Sequence, residues 1–391
     1  LTDSTDKISD KIDYNLAFLL FLMFCVSCIS IFSAQTNGQY EDNFLLKQIM
    51  WYFVGTVVLV ATMIFDLEQL RKLSWYFYGF GNFLLVLLIF TPERFAPTIN
   101  GAKSWFVVPG AGSLQPSEIV KVCLILVLSN VIVSHNSKIF DKTIKSDLLL
   151  ILKMLGFTMV PIMLVMMQPD LGTSLVMLAI FAFMLLMSGV AWRLLVLLYS
   201  SVALIGFGLI LMIIKIPEFV EGTLGVKEYQ LGRIYSWLDP ENYEGPEAYQ
   251  LNKALLAIGS GKIYGKGYQD GSVYLPENHT DFIIGNIGEE FGFLGISIVL
   301  TLFFLLIYRI IRIALEIDDP FGSFICAGVI AMITFHVFQN VGMAIGLVPI
   351  TGIPLPFISY GGSSLLGSMF AMGLVFNVKF RTRKYMFSAN D

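Results

Sequence analysis

Pro276-Glu-Asn-His-Thr-Asp-Phe-Ile-Ile-Gly-Asn-Ile-Gly-Glu-Glu-Phe-Gly-Phe-Leu-Gly295 closes the longest polar interval of a 391-residue chain and opens a strongly apolar one. Read as a helix from Asp281, it stacks Asp281, Gly285, Gly288, Gly292 and Gly295 within an arc of roughly 80°. One face is then a carboxylate followed by a track almost without side chains. Glycine weakens a helix, so four on one face imply that something approaches the backbone closely. Two readings are open for the track: a groove for a lipid chain, or a seam for a packed helix. Asp281 likewise reads either as a general base or as the helix N-cap.

Outward from this stretch, the composition excludes an ordinary soluble protein: 56% of residues are hydrophobic, 14% are charged and mean hydropathy is +0.75. Apolar runs near bilayer length recur, which predicts a single all-α polytopic membrane domain over 1–391. About ten spans are expected, near 15–34, 49–65, 73–90, 116–134, 148–167, 172–188, 192–214, 281–308, 321–347 and 357–377. The first is too long for a signal peptide. The net charge of −4 gives no reason to expect nucleic acid. Cys25, Cys28, Cys123 and Cys326 all fall in apolar segments and predict buried thiols rather than disulfides.

Loop charge sets the orientation. With the N-terminus inside, the inner side carries Lys7, Lys11, Arg71, Lys72, Lys138, Lys142, Lys145, Arg193, Arg309, Arg312, Lys379, Arg381, Arg383 and Lys384. The short outer loops carry Lys47, Arg94 and Lys103. Both termini are therefore expected in the cytoplasm, with Asp281 at the outer surface. The long outer loop, 215–280, precedes the eighth span. Within it Leu251, Ala254, Leu255 and Ile258 predict an amphipathic helix on the outer leaflet, and 216–248 reads as a solvated connector. Three other irregular stretches, Asn100 to Pro116, Gln168 to Ser174 and Pro349 to Ser364, map to the same side. Irregular backbone near membrane depth is tolerated where it lines a cavity, so these stretches converge on one outward-facing site.

Glu118 and Lys121 share a face at the start of the fourth span. Gln115-Pro-Ser-Glu118 also reads as a helix start, but a lysine inside a span is a functional candidate by default, here for an anionic head group. Trp105 reads as an interfacial anchor, with sugar stacking as the second reading. His279 with Glu277 and Asp281 matches no standard metal spacing. Glu289 is the bundle-interior acid and Glu290 faces away. No P-loop, dinucleotide fingerprint, zinc spacing or serine-nucleophile motif occurs.

Five motifs in order carry a resemblance: Asn100-Gly-Ala-Lys-Ser-Trp105; Gln115-Pro-Ser-Glu118 with Lys121; Gln168-Pro-Asp-Leu-Gly-Thr-Ser174; Leu275-Pro-Glu-Asn-His-Thr-Asp-Phe-Ile283; and Gly352-Ile-Pro-Leu-Pro-Phe-Ile-Ser-Tyr-Gly-Gly-Ser363. On a ten-span frame they resemble the SEDS family, which includes RodA, FtsW and SpoVE. The wording of the last motif, with Asn340-Val-Gly-Met343 before it, is closer to the RodA branch. The resemblance implies a bacterial cytoplasmic-membrane glycosyltransferase that polymerises lipid II into β-1,4-linked glycan with inversion, outside the membrane, for elongation and cell shape. It implies a class B penicillin-binding protein and other elongation machinery as partners. It places Asp281 as the catalytic residue and Trp105 as a functionally important loop residue. Together with Trp105, the residues Lys103, Glu118, Lys121, His279, Ser359 and Gly361 are expected on the substrate. One departure is Gln115, where many members carry Lys. No protein metal site is expected; a divalent ion, Mg or Mn, is an alternative to Lys121 or Lys103 at the leaving pyrophosphate. The other function classes compatible with the residues are a flippase for the lipid-linked precursor and a scaffold for cell-wall enzymes; the division and sporulation roles belong to the same family.

Overall fold

The computed structural model describes residues 12–36, 43–98, 101–108, 112–138, 143–216 and 228–382. Lys7, Lys11, Asn100, Lys142, Arg383 and Lys384 lie outside them. Among the described residues, ten apolar helices form the frame: α1 Tyr14–Thr36, α2 Phe44–Thr62, α3 Leu67–Phe90, α4 Pro116–Lys138, α5 Ile144–Met166, α6 Leu171–Met187, α7 Trp192–Lys215, α10 Ile283–Glu316, α11 Pro320–Ala344 and α12 Gly362–Arg381. All but the 17-residue α6 are long and apolar enough to cross a membrane. Among the described residues of the long loop are two further helices, α8 Glu228–Leu238 and α9 Pro246–Gly261, and a short antiparallel pair, β1 Phe106–Val108 and β2 Gly112–Leu114, precedes α4.

A helix apolar on every side belongs in a core. α4 is that helix: Val120 and Leu124 through Leu128 are sealed from solvent, with α11 and α12 packed around it. The peripheral helices show Phe18, Phe53, Phe80, Phe207 and Phe304 to the outside, as lipid-facing helices do. α7 is the extreme case, with only Leu195 and Ile213 buried.

The two ends of α1 separate the two faces of the molecule. Asp13, at its start, pairs with Arg309 at 2.6 Å; Ala34, at its end, accepts from Asn278, three residues before Asp281. Those ends are about 32 Å apart at helical rise, close to a bilayer core. At the Arg309 end lie the Lys379–Glu316 and Arg381–Asp66 pairs.

Four expectations need correction. The eighth span begins at Ile283, so Asp281 is not its cap. The last span begins at Gly362, because Phe357 adopts a left-handed φ of 64° and the chain turns through 356–359. The connector at 216–248 contains α8. The glycine arc is interrupted, since Gly292 is non-helical (φ 63°, ψ −157°) and breaks α10. The track is a packing seam. A methyl at Gly261 of α9 would strike the Gly288 carbonyl, one at Gly285 would strike Leu275, and one at Gly292 would strike the chain at 263–265. α9 accordingly lies on protein through Ala254, Ala257 and Gly261, and turns Leu255 and Leu256 outward.

Candidate functional site

A cavity of about 1360 Å³ opens where the irregular segments meet. Its wall carries three cations (Lys47, Lys121 and Arg233), the acids Glu118, Asp170, Glu247, Glu277 and Asp281, and the aromatic rings of Trp51, Trp105 and Tyr360. Apolar walls with a few convergent polar groups are the usual form of a ligand site.

Asp281 sits partly buried in the turn before α10. Its backbone is fixed from α11, where Asn340 Nδ2 donates to Asp281 O at 2.7 Å and to Ile353 O at 2.8 Å. Its carboxylate faces Gly352, whose φ of 71° turns the chain there. Burial pushes the Asp281 carboxyl up to about 7, Glu277 adds to this, and Arg233 pulls the other way. A carboxyl in that range exchanges protons at neutral pH, as a general base requires.

Also in the lining, Lys121 Nζ lies 2.8 Å from Glu118 Oε2, both buried at the start of α4. Gln115 joins this helix start to the Gln168–Ser174 turn. Its Nε2 donates to Asp170 Oδ2 at 2.7 Å, while Asp170 accepts from the Thr173 backbone and hydroxyl. Trp105, Glu118, Lys121, Asp281 and Gly361 thus line one cavity.

Three expected site residues stand elsewhere. Lys103 donates to the carbonyls of Ile89 and Thr91, at 3.1 and 2.5 Å, closing the C-terminal end of α3. Ser359 lies behind the wall, its hydroxyl donating to Thr280 O at 2.6 Å and accepting from Leu355 N–H at 2.9 Å. His279 is stacked on Phe44 with ring centroids 4.2 Å apart, and its carbonyl accepts from Tyr360 N–H. Burial lowers its imidazole below the ordinary range, against the pull of Glu277. Ser359 and His279 brace the Asp281 turn rather than the cavity surface. Glu289 accepts from Lys266 Nζ at 2.6 Å and from the backbone of Ser272 and Val273. Glu290 is buried as well, against Ser33. Among the described residues, no three His, Cys, Asp or Glu side chains gather as a metal cage.

Arg233 was hidden in the supposed connector, although Leu231, Ile234, Tyr235 and Leu238 repeat at helical spacing there and signal α8. Lys47 was visible only as an outer-loop charge, and His336 only as one polar residue in an apolar span.

Residues 11–384 match the family model of FtsW, RodA and SpoVE, described as cell cycle proteins. Stage V sporulation protein E of Bacillus subtilis is 35% identical, over 87% of this chain and 88% of that protein. A probable peptidoglycan glycosyltransferase FtsW of Geobacter sp. (strain M18) is 33% identical over 87% and 88%. The peptidoglycan glycosyltransferase RodA of Treponema pallidum is 31% identical over 96% and 98%. The relatives divide among three branches at similar identity, so the expected closeness to RodA is not resolved. Among solved structures, the chain is similar to one from a peptidoglycan synthase complex that coordinates polymerisation and crosslinking. The TM-score there is 0.75 at 27% identity, covering 94% of this chain and 97% of that one. It is also similar to Thermus thermophilus RodA, with a TM-score of 0.67 at 26% identity, covering 96% and 98%.

Proposed function

This chain belongs to the FtsW, RodA and SpoVE family of cell cycle proteins, and from that membership we propose its reaction and the roles of its cavity residues. It is a multi-pass protein of the cytoplasmic membrane and a peptidoglycan glycosyltransferase. In our reading its substrate is lipid II, bound with the sugars and pyrophosphate in the outward cavity and the polyprenyl chain toward the bilayer.

The acceptor sugar hydroxyl attacks the anomeric carbon of an α-linked donor from the face opposite the pyrophosphate. Asp281 takes the hydroxyl proton as the new C–O bond forms, and the bond to the leaving pyrophosphate breaks with its electron pair. One displacement inverts the anomeric centre to β, as in inverting glycoside transfer with a single base. The departing anion needs positive charge rather than a proton donor. Lys121 supplies it, with Lys47 and Arg233 lining the same cavity; Lys103 is withdrawn from this role by its contacts with α3. Trp105 and Tyr360 offer ring faces to the sugars, and Gly361 leaves room for them. The observation that carries this reading is a carboxyl raised to about 7 in one cavity with three cations.

We also assign a class B penicillin-binding protein as partner, supported by the likeness to a chain from a complex that joins polymerisation with crosslinking. The elongation role rests on the Gly352–Ser363 wording with Asn340-Val-Gly-Met343. Complementation of elongation-depleted against division-depleted cells tests it.

The deciding experiment supplies lipid II in detergent to the purified chain and its transpeptidase partner. The wild type forms glycan strands and Asp281→Asn forms none while folding normally. Polymer made by Asp281→Asn at the parent rate overturns the base assignment. Absence of polymer with the wild type, together with precursor crossing in vesicles, replaces the reaction by transport.

A further inference from the structure

The Glu118–Lys121 pair does not end at Lys121. Lys121 Nζ lies 2.9 Å from Nε2 of His336 on α11, and His336 Nδ1 lies 3.2 Å from the carbonyl oxygen of Pro354. A carbonyl only accepts and an ammonium only donates. The hydrogens are therefore assigned by chemistry: Nδ1 carries the imidazole proton, and Nε2 presents its lone pair to Lys121. The neutral ring in this tautomer satisfies both neighbours. An imidazolium would lose the Lys121 bond and set two cations face to face.

Glu118, Lys121 and His336 are 5%, 1% and 3% exposed, yet all three line the cavity. An ammonium has three N–H groups. Among the described residues Glu118 and His336 engage two, which leaves the third for the cavity. Glu118 alone holds the flexible lysine stem from its own helix, at i,i+3. One contact leaves a pivot; a second, from a different helix, sets the direction of the ammonium.

The far side of the imidazole leads toward Asp281. Pro354 precedes Leu355, whose N–H donates to Ser359 Oγ, and Ser359 Oγ donates to Thr280 O beside Asp281. One turn along α11 from His336, Asn340 holds Asp281 O and Ile353 O. Two residues on one face of α11 thus grip adjacent carbonyls, 353 and 354, while one holds Lys121 and the other the Asp281 backbone.

We propose that His336 is a positioning residue that aims Lys121 at the donor pyrophosphate and keys it to the Asp281 turn. The inference rests on the reading of Lys121 as the pyrophosphate cation. The competing explanation is a satisfied core histidine that only packs, and the two predict different couplings.

The test uses the full chain in detergent with lipid II as probe, and compares Lys121→Met, His336→Leu, His336→Gln and the Lys121→Met/His336→Leu double variant. Melting temperatures establish that each is folded. His336→Leu should raise KM for lipid II about tenfold, the scale of one lost hydrogen bond to a charged group, with a smaller change in kcat. His336→Gln should restore most of the affinity, because its amide N–H can serve Pro354 and its oxygen can serve Lys121. In the double variant the loss should be no greater than in Lys121→Met alone. Losses that multiply, or a folded His336→Gln as defective as Lys121→Met, overturn the inference even if His336→Leu does not fold. An unchanged KM in Lys121→Met instead overturns the pyrophosphate reading beneath it, and separates that failure from one at His336.

Discussion

Gly352 faces the Asp281 carboxylate so closely that a Cβ added there would stand 3.2 Å from Oδ2. Its φ of 71° also lies in the left-handed region, which costs an alanine about 1–2 kcal/mol. Gly352→Ala should therefore lose stability by that amount and lower kcat roughly tenfold, since small misplacements of a reacting group are costly. Thermal unfolding and single-turnover polymerisation measure the two effects separately.

The activity of a base follows its ionised fraction. kcat/KM should rise with pH through about 7 and level off above it. Glu277→Gln removes a neighbouring negative charge and should move this limb to lower pH. Arg233→Met removes a cation and should move it higher. Opposite displacements in the pH–rate profile are the check, and a limb insensitive to both substitutions would remove Asp281 as its source.

Stability has the opposite sign. The folded protein holds the Asp281 proton more tightly than the unfolded chain, so this group's contribution falls as pH rises from about 4 to about 7. Asp281→Asn, neutral throughout, should raise the melting temperature more at pH 8 than at pH 5. A uniform shift at both pH values would contradict the assignment.

The glycine seam gives a paired prediction on α9. Gly261→Ala drives a methyl into the Gly288 carbonyl and should destabilise by about 1–3 kcal/mol. Gly259→Ala, with nothing within 4 Å of the added methyl, should stabilise by about 0.5–1 kcal/mol. Unfolding of both variants under one set of detergent conditions compares them directly.

Lys103 supplies a contrast with Lys121. Lys103→Met uncaps the C-terminal carbonyls of α3 and should cost ~1 kcal/mol of stability. Its KM for lipid II should stay at the wild-type value, as titration with substrate would show.

The ten spans were legible because lipid imposes length and hydropathy on each segment separately. The convergence of Trp105, Lys121, Asp281 and Gly361 was legible because polar and proline-rich breaks in a membrane chain have few places to go. What escaped depends on partners distant in sequence. Lys103 reads as a free cation until Ile89 and Thr91 are brought beneath it, and Ser359 reads as a ligand until Thr280 claims its hydroxyl. The glycine track presumed a continuous helix, and one residue, Gly292, removes that premise. His336 signalled only as a polar residue in an apolar span, and the partners that give it a role, Lys121 and Pro354, are brought to it by the fold.

At that break in α10, the helical pairs Glu289–Phe293 and Glu290–Leu294 are replaced by an exchange with the turn after α9. Phe293 and Leu294 N–H donate to the carbonyls of Lys262 and Ile263, while Lys266 and Gly267 N–H donate to those of Glu289 and Glu290. The turn at 262–267 is therefore a splice that completes another segment's backbone, although it looks like an ordinary glycine-rich loop. Inserting a tag or reporter there would leave the carbonyls of the buried Glu289 and Glu290 unpaired, at about 1–3 kcal/mol each. The exposed turn at Glu241–Glu244, on the same outer loop, carries no such debt and is the place to attach one.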